Sequence, residues 1–166
     1  MQKVLDVCRY VINYSNKKQY RVSNLKLQKL LYFIQAYFLV YSRGKKACFQ
    51  EKLEAWDFGP VSPVAYQEYK QYGSTDIPSI TNYVEYDEKH PWKATIKTFD
   101  ESCIKSEDRE LINKVVEGLS EYSATDLVKI THNQSPWIDA YKDTLKNHEI
   151  TQEAIKDYFL KKGDIF

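Results

Sequence analysis

Between Asn24 and Ser42 the chain reads NLKLQKLLYFIQAYFLVYS, and after Lys29 almost every residue is apolar or aromatic. The spacing predicts an α-helix, capped by Ser23 or Asn24, with Gly44 just beyond its end. At about 100° per residue, Asn24, Gln28, Gln35 and Ser42 fall within about 40° of one another. A helix with one narrow polar stripe has to be enclosed on nearly every side. The expectation is an all-α fold: a compact bundle of about six or seven helices around a buried central helix at 24–42.

The rest of the chain supplies those helices. Leu5, Cys8, Val11 and Ile12 recur at helical spacing, predicting a first helix over 3–14. Ser62 followed by Pro63 predicts a helix start, because Pro at the first helical position has no N–H to satisfy. That helix runs to Tyr72 and stops at Gly73. Ser106, with Glu107 and Asp108 behind it, opens another, whose apolar face reads Leu111, Val115, Leu119 and Tyr122. Ser123 and Asp126 resemble a capping box before ATDLVKITH. Ser135-Pro136 repeats the cap-and-proline signal before WIDAYKDTL, and Thr151 and Gly163 bound a final helix. Between 47 and 100, LEAWDF and ATIKTF read as short strands of a minor two-stranded β element, and Gly59-Pro60 reads as a chain reversal.

The 166 residues suit a single domain spanning 1–166, and 43% hydrophobic residues suffice for a core. No apolar run approaches the ~20 residues of a membrane span, and the first fifteen residues lack a signal-peptide core. A cytoplasmic location is expected. Cys8, Cys48 and Cys103 are odd in number and widely spaced, which fits buried thiols better than disulfides or zinc. The net charge of +1 hides an asymmetry: residues 17–52 hold nine Lys or Arg and one acid, whereas 53–110 hold six bases and twelve acids. The two segments either lie together and cancel, or Lys17, Lys18, Arg21, Lys26, Lys29, Arg43, Lys45 and Lys46 form a basic face for an acidic partner.

Motifs for chemistry are missing. There is no HExxH, P-loop, GxGxxG or GxSxG, and nothing pairs His132 with a nucleophile. No cofactor and no enzymatic activity are expected; an enzyme or nuclease using His132 and nearby acids is the rival reading. The segment 124–145 can be drawn as a helix-turn-helix, but its second helix carries Asp139 and Asp143 against Lys142, a poor match to phosphate. Nucleic acid is disfavoured as a partner. Fourteen tyrosines favour a protein-binding surface.

Four segments together carry a resemblance: 25-LKLQKLLYFIQAYFL-39, 54-EAWDFGPVSPVAYQEYKQYG-73, 123-SATDLVKITHNQSPW-137 and 150-ITQEAIKDYF-159. In this order and spacing the chain resembles the Panacea antitoxin domain, the SocA-like family that includes phage-associated GepA-like proteins. The resemblance implies a mainly helical, non-enzymatic antitoxin of a bacterial or phage toxin–antitoxin system, neutralising a protein toxin by binding it. Two alternatives are an adaptor that delivers a toxin to a ClpXP-type protease, and a nucleic-acid-binding or regulatory phage-associated protein. The family's EAW–GPV–P–Y pattern falls on Glu54, Ala55, Trp56, Gly59, Pro60, Val61, Pro63 and Tyr66. Its TH–PW pattern falls on Thr131, His132, Pro136 and Trp137. Those residues, with Gln28 and Gln35, are the expected partner-binding or motif positions. Whether the Trp56–Pro63 corner is structural or touches the partner is open at the level of sequence.

Overall fold

The computed structural model describes residues 1–142 and 148–165. Among them are seven α-helices: α1 (Val4–Lys17), α2 (Asn24–Tyr41), α3 (Pro63–Tyr69), α4 (Ser106–Gly118), α5 (Ala124–His132), α6 (Ser135–Lys142) and α7 (Gln152–Lys162). Five short strands accompany them: β1 (Leu53–Trp56), β2 (Gly59–Val61), β3 (Asn82–Tyr86), β4 (Ala94–Thr98) and β5 (Glu149–Ile150). The fold is mostly helical with a minor β component, as expected. The expected helical residues 143–145 lie outside the described residues.

Helix α2 is the axis. Helices α1, α3, α4, α5 and α7 pack around it, and fourteen of its eighteen residues are buried. Phe33 meets Phe159 of α7 edge-on, with ring centroids 6.1 Å apart. Ile112, Val115, Val116 and Leu119 of the α4 segment close another side. That face differs from the expected one, since Leu111 is only partly buried and Tyr122 is exposed. Each fully buried side chain of this size contributes about 1.5–3 kcal/mol.

The polar stripe of α2 is not a solvent seam. Gln35 donates to Phe49 O (3.0 Å) and accepts from Cys48 N (3.0 Å) and Phe49 N (3.3 Å). Gln28 accepts from Ser62 N (2.9 Å), Asn24 donates to Tyr66 O (3.4 Å), and Ser42 accepts from Lys46 N (2.9 Å). The stripe therefore satisfies main chain crossing the helix, most of it non-helical, whose buried N–H and C=O groups need partners.

Several caps fall where the sequence placed them. Ser23, Ser62, Ser123 and Thr151 each accept from a first-turn N–H, Ser123 and Asp126 form a full capping box, and Gly163 ends α7 at φ 87°. Ser135 differs: it lies inside α6, and Gln134 O accepts the first bonds from Trp137 N and Ile138 N. The strands also differ. LEAW and ATIKT do not pair with each other; β2-β1-β5 form one antiparallel sheet and β3-β4 another. Gly59-Pro60 is not the reversal either. Trp56 pairs with Gly59, so Asp57-Phe58 make the two-residue turn and Gly59-Pro60 begin β2.

Candidate functional site

The hairpin β1–β2 is held from three directions. From below, Lys29 of α2, with 0% exposure, donates to Pro60 O at 2.8 Å. Burial pushes its ammonium down to about 7. Gly59 sits over that lysine at φ 99°, and a Cβ there would come within 2.8 Å of Thr131 Oγ1 and 2.9 Å of Lys29 Cε. The glycine is needed for both conformation and space. From the side, α6 presents an aromatic stack: Trp137 lies on His132 (centroids 4.1 Å, 25°) and on Tyr141 (4.7 Å, 23°). The Trp137 indole donates to Trp56 O (2.9 Å), and Tyr141 donates to Asp57 Oδ1 (2.8 Å). The Asp57 carboxylate raises the phenol's pKa. From above, Trp56 donates to Glu54 Oε2 (2.8 Å) and meets Tyr66 of α3 edge-on at 5.0 Å.

Beside this hairpin lies a groove of about 810 Å³. Leu25, Ala55, Trp56, Val61, Tyr66 and Tyr141 give it apolar walls. Phe58 stands at the turn with 67% of its surface exposed, against a polar fringe that includes Asp57 and Lys70. Apolar walls with a few polar groups and an exposed aromatic suit the capture of another molecule.

The structure gathers most of the expected site residues here. Trp56, Gly59, Pro60, Val61, Tyr66, His132 and Trp137 converge on the hairpin, Gln28 lines the groove, and Pro63 and Pro136 start the helices that flank it. Gln35 is separate, seven residues or about 10 Å further along α2. The basic residues do not form one face. Lys29 and Lys26 are buried, the latter donating to Ser120 O at 2.9 Å. Lys17, Lys18 and Arg21 lie near the start of α2, and Arg43, Lys45 and Lys46 just past its end, about 27 Å away by helix length. Lys18, Arg21 and Lys46 pair with Glu117, Asp76 and Asp108, so part of the charge asymmetry cancels internally.

Phe58, Asp57 and Tyr141 were not singled out from sequence. Two signals could have found them: two residues between short strands form an exposed turn, and Tyr141 lies four after Trp137, on the same face of a helix.

His132 Nε2 is buried without a hydrogen-bond partner among the described residues, and the ring serves as a stacking platform. The described residues hold no group of three His, Cys, Asp or Glu fit for a metal ion, and no described helix is long and apolar enough to cross a membrane. Cys8 and Cys48 are buried free thiols, their pKa raised by desolvation; Cys103, against expectation, is exposed. Helix α6, the second helix of the segment that can be drawn as a helix-turn-helix, packs Trp137 and Tyr141 onto the β1–β2 hairpin.

Comparison with known proteins gives two matches. The family model described as antitoxin SocA-like, Panacea domain, matches residues 27–138. The chain is also similar to the protein named Antitoxin SocA from Caulobacter vibrioides (strain NA1000 / CB15N), 33% identical over 117 residues. That match covers 70% of this chain and 58% of the relative. No solved structure matches the chain.

Proposed function

The chain belongs to the SocA-like Panacea-domain antitoxin family, and from that membership we propose that it is an antitoxin, acting as one domain, that neutralises a protein toxin by direct binding. The observation that carries the binding mode is the groove beside the β1–β2 hairpin with Phe58 exposed on its rim. The hairpin is braced by Lys29, Trp137 and Tyr141, so the aromatic anchor is presented on a rigid mount with little ordering cost on association. Aromatic anchors at the centre of an interface commonly dominate its energy. The action is stoichiometric capture in the cytoplasm, with no catalytic step and no cofactor. Lys17, Lys18 and Arg21 sit at the end of α2 that also supplies Asn24 and Leu25 to the groove, which suits a neutral or acidic toxin.

The test is co-expression with the neighbouring gene of its native operon, in cells with and without the ClpXP-type protease. Direct capture predicts growth arrest by the neighbour alone, rescue by this chain in both strains, and a stable complex on pull-down. Rescue only where the protease is present, with the toxin disappearing, would replace capture by proteolytic delivery.

A further inference from the structure

The β3–β4 hairpin leaves one strand edge facing a cleft. Phe99 N donates to Thr81 O (2.8 Å) and Asp87 N to Lys93 O (3.0 Å). Given the register Asn82↔Thr98, Val84↔Ile96 and Tyr86↔Ala94, alternation directs the main-chain groups of Tyr83 and Glu85 toward β4. The N–H and C=O groups of Asn82, Val84 and Tyr86 then face away from it, and they have no partner among the described residues. Ile80 has the same parity, and there the position is filled. Asn13 of α1 donates to Ile80 O (2.9 Å) and accepts from Ile80 N (2.7 Å), as a neighbouring strand would. The edge begins paired and continues open.

The open part borders two adjoining cavities of about 490 and 760 Å³, which share Arg9, Glu68, Tyr83, Val84 and Tyr86. Helix α3 contributes Val64, Glu68 and Tyr69, and α1 contributes Leu5, Asp6 and Arg9. Three buried polar atoms along this cleft lack partners: Arg9 Nε, Glu51 Oε2 and the Tyr69 hydroxyl. Arg9 is 4% exposed, held by Asp6 (2.9 Å) and by the Tyr83 ring 3.5 Å from its guanidinium carbon. The lining is acidic, with Asp6, Glu51, Glu68, Glu85, Asp87 and Glu88 against Lys3, Arg9 and Lys89. Asp6 pairs with Arg9, Glu85 with Lys3 and Lys97, and Asp87 lies 3.4 Å from His90, which leaves Glu51, Glu68 and Glu88 without an ion pair among the described residues.

We propose that the free edge of β3 accepts an extended, lysine- or arginine-bearing segment of a protein partner as a third strand. Main-chain bonds to Asn82, Val84 and Tyr86 supply the pairing, and the carboxylates of Glu51 and Glu68 select basic side chains. The site is separate from the groove at Phe58 and does not rest on the antitoxin reading.

The probe is an acetylated, amidated peptide of alternating lysine and valine, titrated into the whole protein while amide exchange is followed by NMR. The expected result is slowed exchange at Asn82, Val84 and Tyr86, an effect absent with the matching glutamate–valine peptide. Glu51→Gln with Glu68→Gln weakens binding about tenfold, and a peptide N-methylated on its edge-facing amides does not bind. The N-methyl arm keeps the test independent of variant folding. Unchanged exchange at millimolar peptide overturns the proposal. Equal binding of the N-methylated peptide does so too, leaving charge attraction alone. Protection of these amides that grows with protein concentration, without peptide, assigns the edge to a second copy of the chain instead.

Discussion

Lys29 shows how one side chain can tie a surface feature to the core. Its ammonium is enclosed at the floor of the hairpin, with Pro60 O as acceptor and a pKa lowered to about 7 by burial. The unfolded chain holds that proton up to about pH 10.4. Between those values the unfolded state binds more protons than the native state, so this group makes stability rise with pH from about 7 upward. Below pH 7 both states are protonated and the cost of the buried charge is fully present. Lys29→Met should therefore gain most on the wild type below pH 7, by up to a few kcal/mol on the order expected of a buried charge. That advantage should shrink as pH approaches 9. Urea unfolding of both proteins at pH 6, 7, 8 and 9 checks this; a difference constant across the series contradicts it. Sequence placed Lys29 on a basic face because spacing alone cannot say which polar residues of an enclosed helix reach solvent. Gln28 and Gln35 were visible as a stripe for the same reason, while their role as brackets for Ser62, Cys48 and Phe49 depends on chain distant in sequence.

At the scale of elements, the hairpin and its neighbours carry the argument. Helix starts were legible because their signals are local: Ser62-Pro63, Ser123–Asp126 and Thr151 need only their own next three residues. Strand partners were not legible. β1 takes a third strand from Glu149–Ile150, nearly a hundred residues away, and no short-range pattern in LEAW announces it. The hairpin turn was misplaced by two residues because Gly59-Pro60 has turn composition, yet the glycine is there for close approach to Thr131 and Lys29. Gly59→Ala should accordingly cost about 2–4 kcal/mol, from left-handed backbone strain plus contacts that would fall below 3 Å. Gly73→Ala, at φ 56° and ψ −126° with nothing within 4 Å of the new methyl, should cost about 1–3 kcal/mol from backbone strain alone. Chemical denaturation of the two variants separates strain from crowding. Equal losses would mean that the crowding at Gly59 is relieved without cost.

The whole molecule is a helical body that displays two different β-hairpins. One is anchored through Lys29, Trp137 and Tyr141 and exposes Phe58 beside an apolar groove. The other presents an open strand edge over an acidic cleft. The EAW–GPV–P–Y and TH–PW segments were visible in the sequence, and the structure joins them through the bond from Trp137 to Trp56 O. Phe58 was not visible as an anchor, because an exposed aromatic in a turn looks like any other until the groove beside it is formed. The net charge asymmetry, which suggested one basic face, is divided between the two ends of α2. On the proposed reading, electrostatics guides a partner to an end of the molecule and the aromatic rim sets how long it stays.

The most direct measurement is the affinity of the purified chain for the purified product of its neighbouring gene, with no protease present, for wild type and for Phe58→Ala. Since Phe58 is 67% exposed, the substitution should change stability by less than about 0.5 kcal/mol. Direct capture through the groove predicts a one-to-one complex for the wild type that blocks the toxin's activity, and binding at least about tenfold weaker for the folded variant. A toxin that stays active and unbound beside the wild-type chain would contradict neutralisation by direct binding; a tight complex indifferent to Phe58→Ala would place the toxin on another surface.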